Sequence, residues 1–172
     1  MGLRGYGLVA LSEGDSEAAR KYFERALERH RELDDSSGIA RSLGGLGLAA
    51  LQAGDADAAV TNAKRALDVS QSLDNRYLTA RFRGLLGAAE TARDGEPSEP
   101  DALDDAVATL RESGAVPAAA EVLRQHAQAE YGWGNTDRAR ELSDQAEACL
   151  ETCDGIVVCE RDELVSLRER LD

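Results

Sequence analysis

Apolar side chains recur along the chain at helical spacing, and one passage is repeated. Ala10 to Leu27 reads ALSEGDSEAARKYFERAL, and forty residues later Ala50 to Leu67 reads ALQAGDADAAVTNAKRAL. Nine of the eighteen positions are identical. After each Gly-Asp pair, small or apolar residues fall at the i, i+3, i+4 and i+7 positions of one helix face. The pattern predicts a helix, a turn and a second helix, repeated every forty residues.

The turn positions carry residues that suit the end of one helix and the start of the next. Gly14-Asp15 recurs as Gly54-Asp55 and as Gly134-Asn135. Glycine readily adopts the left-handed conformation at a helix C-terminus, and Asp or Asn caps the following helix. In the third copy the turn expands to RDGEPSEPD, Arg93 to Asp101. Because proline disfavours helix in the residue before it, we expect a loop of about nine residues there. The loop is either a tolerated surface insertion or an acidic contact with a partner.

Two glycines fall in the middle of predicted helices, at Gly7 and Gly47. A glycine in a helix interior costs ~1 kcal/mol relative to alanine. A cost that recurs with the repeat indicates close approach of the paired helix, which we expect near Ala19 and Ala59.

The period divides the chain into about four helix pairs within a single domain, residues 1–172. The predicted repeats cover about 1–35, 36–75, 76–115 and 116–153. A further apolar stripe predicts a C-terminal capping helix over about 158–171, since helical arrays need an atypical last element. The first repeat lacks the lead-in Asp34 to Ala40 that precedes the second. The chain is therefore expected either to be part of a longer protein or to pair with a second copy at that end. The stripe comprises Ile156, Val157, Leu164, Leu167 and Leu171.

The repeated positions resemble those of the tetratricopeptide repeat, in the forty-residue form found in signalling scaffolds and regulator sensor domains. The resemblance implies an all-α, right-handed α-α superhelix and a non-catalytic protein–protein interaction scaffold. It further implies that a peptide or helix of a partner binds in the concave groove, in the regulatory part of a larger protein. The alternative is a self-assembling homodimer through the uncapped first repeat. The resemblance rests on Leu46, Gly47, Ala50, Gly54, Asp55, Ala59, Ala63, Ala66 and Leu67, with their counterparts one period earlier.

In such repeats the first helix of each unit lines the groove. Four candidates are arginines, which pair well with carboxylates, so the partner is expected to be acidic. The alternative is that these arginines pair with acids of the chain itself. The Asn residues that hold a C-terminal carboxylate in some family members are absent at these positions. The groove candidates are Arg4, Leu8, Leu11, Arg41, Leu48, Gln52, Arg81, Ala88, Arg124, Gln128 and Tyr131.

The charge of the chain bears on its partners. Its 33 Asp and Glu against 20 Lys and Arg give a net charge of −13. Phosphates would be repelled, so no nucleic-acid partner is expected. Only two basic residues are lysines, which is typical of a high-salt cytoplasm or of a genome biased toward Arg and Ala. No apolar run is long enough to cross a membrane. Without a signal-peptide pattern, a cytoplasmic location is predicted.

Catalytic and metal-binding residues are scarce. His126 replaces Leu46 of the second repeat and is expected to be a half-buried packing residue, and His30 is predicted near a helix C-terminus. Cys149 and Cys153 have i, i+4 spacing, but they fit an apolar helix face better than a metal site. No enzyme activity, metal or cofactor is therefore expected. Trp133 is either an exposed anchor or packed under the last helix, and packing is favoured.

Overall fold

The computed structural model describes residues 2–97, 99, 101–152, 165, 167, 169 and 170 of the 172-residue chain. All regular secondary structure in these residues is helical, which confirms the all-α prediction. The chain divides into two compact units, Met1–Phe82 (unit 1) and Arg83–Asp172 (unit 2). The helices are α1 (Leu3–Ser12), α2 (Ser16–Glu32), α3 (Ser36–Gln52), α4 (Ala56–Ser72), α5 (Arg76–Asp94), α6 (Ala102–Glu112), α7 (Val116–Gly132) and α8 (Thr136–Glu151).

Side-chain caps begin four consecutive helices at intervals of twenty residues. Asp15, Asp35, Asp55 and Asn75 each accept a hydrogen bond from the backbone N–H three residues later, at 2.9 to 3.0 Å. Each such cap is worth ~1 kcal/mol because it satisfies a helix N–H that has no intrahelical partner. The predicted Gly-Asp turns are confirmed, since Gly14 and Gly54 have φ of 78° and 79°.

The interior of unit 1 is built on two phenylalanines among small residues. Phe23 of α2 is fully buried and packs with Ala10, Ala19 and Ala49, while Leu46 covers the edge of this cluster. The second cluster gathers side chains from α2, α3, α4 and α5, and it comprises Leu27, Ala40, Leu43, Ala66, Leu78 and Phe82. Alanine lets helices approach closely, and the phenylalanine rings fill the space that remains.

Glycines leave the space that these phenylalanine rings occupy. A Cβ atom added at Gly7 would lie 2.8 Å from Cε1 of Phe23, and one at Gly45 would lie 2.5 Å from Cδ1 of the same ring. Close approach of α2 at Gly7 is therefore confirmed, and the nearest atoms of α2 belong to Phe23, one turn after the expected Ala19.

Unit 2 contains the second part of α5 and helices α6 to α8. Contacts join α6 to α7 and α7 to α8. Its interior is more aliphatic than that of unit 1. Val122 packs against Gly84, where an added Cβ would lie 2.5 Å from Cγ1 of Val122. The fully buried large side chains include Leu110, Leu123, Leu142 and Leu167.

The acidic turn between α5 and α6 is shorter than predicted. Arg93 and Asp94 belong to α5, so the connection covers residues 95–101 instead of 93–101. Gly95 ends the helix with φ of 87° and donates its N–H to Thr91 O at 2.9 Å. The first proline is Pro97, and its steric restriction reaches only one residue back. Nothing in the sequence therefore prevents helix at Arg93.

The predicted capping helix, residues 158–171, lies mostly outside the described residues. Val165, Leu167, Glu169 and Arg170 are helical, and Leu167 is buried.

Candidate binding surfaces

The first candidate surface lies on α1 and α3 of unit 1. The two helices contact each other, and Nε2 of Gln52 donates a hydrogen bond to Leu11 O at 2.9 Å. On α3, Arg41, Leu48 and Gln52 are seven and four residues apart, so they share one helix stripe. Arg41 and Gln52 are exposed and Leu48 is half-buried. We call the side chains of this stripe together with Arg4, Leu8 and Leu11 of α1 the α1–α3 surface.

Leu8 is the most accessible apolar member of the α1–α3 surface. It is 41% exposed, while Arg4 and Leu11 are half-buried. Leu8 and Leu48 occupy equivalent positions in successive repeats, one period apart. The repeat therefore places an accessible leucine at the same point of both helices.

Arg41 lies close to the start of α3, in the field of Asp35. The pKa of the Asp35 carboxyl is lowered, chiefly by the N–H of Gly38 and further by the charges of His30 and Arg41, against the opposing effect of burial. Nδ1 of His30 lies 2.8 Å from Oδ2 of Asp35. His30 is in the last turn of α2, which confirms its predicted place.

Arg81 was predicted from the period, but its aromatic neighbour was not. The Arg81 guanidinium carbon lies 5.9 Å from the ring centroid of Tyr77, a cation–π distance. The i, i+4 spacing of Tyr77 and Arg81 was the signal that could have revealed this pair. Ala88 is fully buried, so its predicted place in an open groove is wrong. The methyl side chain of Ala88 is small enough to lie where α5 packs against its neighbours.

The remaining groove candidates lie on α7 in unit 2. Arg124 is half-buried, Gln128 is exposed and Tyr131 is half-buried. The guanidinium of Arg170 lies 5.8 Å from the ring centroid of Tyr131. The face of α7 that carries these residues therefore combines cationic and aromatic groups.

His126 is buried, with 3% exposure, so the half-buried expectation is wrong. Its Nε2 lies 2.8 Å from Gly84 O, and its ring fills the space beside Gly87. Burial lowers the pKa of His126 from 6.5 to about 4, although the Gly84 carbonyl opposes the shift. The ring is therefore neutral near pH 7, with the Nε2 proton donated to Gly84 O.

Trp133 is held at the end of α5. Its indole Nε1 donates a hydrogen bond to Ala92 O at 3.0 Å, which caps a carbonyl of the last helical turn. Its six-membered ring lies 3.3 Å from the Cβ position of Gly95. The side chain still keeps 49% of its surface exposed. Trp133 therefore packs against the end of α5 and stays half exposed, while most of the last helix, under which it was predicted to pack, lies outside the described residues.

The described residues offer few features of other classes of site. Within them, no group of three or more His, Cys, Asp and Glu side chains is arranged to hold a metal ion. Cys149 is buried, and Cys153 and Cys159 lie outside the described residues. No helix in the described part of the chain has both the length and the apolar character needed to cross a membrane.

Comparison with known proteins supports the repeat assignment. Residues 2–72 match the family model of the tetratricopeptide repeat. Comparison with curated proteins gives no match. Aspartyl phosphate phosphatase F from Bacillus subtilis has a similar solved structure, with a TM-score of 0.64 and 15% identity over 98% of this chain. The apo form of RapI is similar over 98% of this chain, with a TM-score of 0.63 and 14% identity.

The chain spans only part of these two proteins, 44% of the phosphatase and 68% of RapI. At such low identity the similarity shows the fold alone. The recognition made from the sequence is confirmed: residues 2–72 match the tetratricopeptide repeat model, and the chain has the helical-repeat fold of these solved structures.

Proposed function

We propose that the protein is a non-catalytic interaction module that binds a peptide or helix of a protein partner on the α1–α3 surface. The observation that carries the proposal is the accessible pair Leu8 and Leu48 at equivalent positions of successive repeats. Leu43 and Leu78 of unit 1 are covered almost completely, and the exposed Leu33 and Leu73 lie at the ends of α2 and α4. Accessible apolar side chains on the first helices of the first two repeats are suited to contact an apolar side chain of a partner.

The polar members of the surface indicate what else the partner carries. Arg41 and Gln52 flank Leu48 on its stripe and are exposed. A guanidinium forms paired hydrogen bonds with a carboxylate, so a partner segment with both acidic and apolar residues fits best. Arg81 is proposed as a further binding residue of unit 1, and Arg124, Gln128 and Tyr131 of α7 are proposed as binding residues of unit 2.

The proposed role is non-catalytic because neither histidine is placed for catalysis. His126 is 3% exposed, so a substrate cannot reach its ring. His30 faces the capping carboxylate Asp35. One of the similar structures is described as a phosphatase, and that description belongs to that protein. Acetyl phosphate is expected to hydrolyse at its uncatalysed rate in the presence of this protein. Acceleration that is lost in His30→Ala would contradict the non-catalytic role.

The binding proposal is tested with a fluorescein-labelled octapeptide of alternating Glu and Leu, by fluorescence anisotropy. Arg41→Glu is expected to weaken binding about tenfold, which corresponds to about 1.4 kcal/mol. Arg65→Glu is the matched control, since Arg65 is exposed on α4 and the charge change is the same. The double change Leu8→Ser/Leu48→Ser is expected to weaken binding as well. Equal losses in Arg41→Glu and Arg65→Glu would show that only net charge matters and would contradict the proposal.

A second candidate function is self-association through α1. Tyr6 and Val9 are 45% and 39% exposed, whereas Ala49, one period after Val9, is fully buried. A second copy could cover Tyr6 and Val9. Light scattering over a dilution series decides this candidate: a mass that falls on dilution, and that Val9→Lys reduces to the monomer, supports it. A monomer at every concentration rejects it.

A further inference from the structure

We propose that unit 2 carries another interaction surface, which binds an arginine- or lysine-rich segment of a protein partner. The surface consists of the Trp133 indole and the exposed carboxylates of Glu96, Glu99, Asp101, Asp104 and Asp105, and we call it the Trp133 surface. It goes beyond the proposed function, because its residues and the charge of its ligand both differ from those of the α1–α3 surface.

The first observation is an aromatic side chain that is exposed and yet fixed. Trp133 is 49% exposed. Its Nε1–H is bound to Ala92 O and its ring rests on Gly95. A side chain already held in one position loses little conformational freedom when a ligand covers it. Exposed tryptophans of this kind are frequent centres of binding energy in protein interfaces.

The second observation is the uneven distribution of charge. Residues 1–82 contain 12 Asp and Glu against 11 Lys and Arg, a net charge of −1, so residues 83–172 carry −12 of the total of −13. Six acids fall within the twelve residues 94–105, and no Lys or Arg interrupts them. Unit 2 therefore favours a cationic ligand near Trp133 and repels an anionic one.

Asp94 is paired with Arg93, and the charges of the five acids that follow it are available to a ligand. Arginines near Trp133 are engaged with acids: Arg93 bonds to Asp94, and Arg138 to Glu141 at 2.7 Å. In the part of the chain that the structure describes, no cation lies within ion-pair distance of Glu96 or Glu99, and both are exposed. Asp101 begins α6 without a side-chain cap bond, so its carboxylate is not needed for that helix end.

The segment lies within reach of the indole. Glu96 directly follows Gly95, which contacts the ring. Since a chain extends at most ~3.5 Å per residue, Glu99 lies within about 14 Å of Gly95. An extended octapeptide spans about 28 Å. One short peptide can therefore place a guanidinium on the indole face and others on the carboxylates, which combines cation–π attraction with ion pairing.

Trp133 is the only tryptophan of the chain and gives a direct readout. An octapeptide of alternating Arg and Gly, added at low salt, is expected to change the tryptophan emission in a saturable manner. The change should require more peptide as salt is raised, because ion pairs are screened. An octapeptide of alternating Glu and Gly is expected to leave the emission unchanged. The proposal would be overturned if the tryptophan emission did not change with the Arg-Gly peptide, or if it changed equally with the Glu-Gly peptide.

Matched variants separate a local site from attraction by net charge. Glu96→Gln/Glu99→Gln/Asp101→Asn removes three charges at the Trp133 surface, and Glu13→Gln/Glu28→Gln/Asp68→Asn removes three exposed charges of unit 1. With fluorescein-labelled Arg-Gly peptide, the first triple change is expected to weaken binding at least tenfold and the second less than threefold. Trp133→Ala should weaken binding more than Trp133→Phe, which keeps a ring. Equal weakening by the two triple variants overturns the proposal even if Trp133→Ala does not fold.

Discussion

His126 is neutral in the folded chain because its surroundings exclude water. Leu46 and Leu86 precede it at intervals of forty residues, so a buried imidazole stands where the two preceding repeats have a half-buried leucine. One hydrogen bond to Gly84 O satisfies Nε2. Burial without a counter-ion disfavours the charged form, which is why the pKa of His126 falls to about 4.

The lowered pKa makes folding sensitive to acid in a defined range. The unfolded chain binds a proton at His126 below about pH 6.5 and the folded chain only below about pH 4, so stability falls as the pH falls from 6.5 to 4. The loss is expected to reach roughly 3 kcal/mol, from 1.36 kcal/mol per pKa unit. Urea unfolding measured by circular dichroism across this range provides the test. His126→Leu should show a flatter pH dependence, and an unchanged slope would contradict the pKa.

The burial of His126 could not be predicted from the sequence. The period places His126 on the first helix of the fourth repeat, and that much was expected. The His126 ring can be buried because Gly84 and Gly87, about forty residues earlier, have no side chains to occupy that space. The repeat pattern gives the position of a residue on its own helix. The space available to its side chain depends on the residues of the helix packed against it.

At the scale of helices, α1 and α3 both meet α2 through glycines that admit one ring. Phe23 presses on Gly7 and Gly45, so the spacing of three helices depends on a single side chain. Added volume at either glycine must displace the ring or the backbone. Such overpacking typically costs 1–3 kcal/mol.

Gly45→Ala is therefore expected to destabilise the protein by up to about 2 kcal/mol, after the gain of about 1 kcal/mol in helix propensity. Gly132→Ala is the control, because nothing lies within 4 Å of its added Cβ. It should leave stability unchanged or raise it slightly. Urea midpoints by circular dichroism measure both changes. A Gly45→Ala protein as stable as Gly132→Ala would show that Phe23 relocates without cost.

Helix ends were more predictable than helix contacts. The turns at Gly14-Asp15 and Gly54-Asp55 are local, because the φ of a glycine and the cap of an aspartate depend on neighbouring residues. Contacts between helices depend on how far each side chain reaches, and the sequence did not indicate that the Phe23 ring would be the nearest group to Gly7. Among the candidate binding residues, the stripe from Arg41 to Gln52 follows from the period alone. The ring of Tyr77 beside Arg81 was not predicted, although the i, i+4 spacing of the two residues carried the signal.

At the scale of the whole molecule, negative charge is concentrated in the second half of the chain, with −12 in residues 83–172 against −1 in residues 1–82. Like charges held on one compact unit repel each other, and unfolding relieves that repulsion. Salt shortens the range of the repulsion from about 30 Å at 0.01 M to about 3 Å at 1 M.

Raising salt over this range is expected to stabilise unit 2, and Trp133 emission during urea unfolding reports on that unit. Glu112→Gln/Glu151→Gln removes two exposed acids that end α6 and α8, where negative charge is unfavourable. The double variant should be more stable at low salt, by up to about 1 kcal/mol, and should respond less to added salt. A salt response equal to that of the wild type would contradict this origin of the effect.

The regular twenty-residue interval between the caps of α2, α3, α4 and α5 also affects how the gene can gain or lose helix pairs. Each pair of helices begins and ends at the same kind of turn, so residues 36–75 form a segment whose two ends are interchangeable. An in-frame duplication or loss of that segment in a gene would join Asn75 or Asp35 to a helix start of the same form. Descendants of such a gene could differ in length by whole helix pairs while every remaining turn kept its cap.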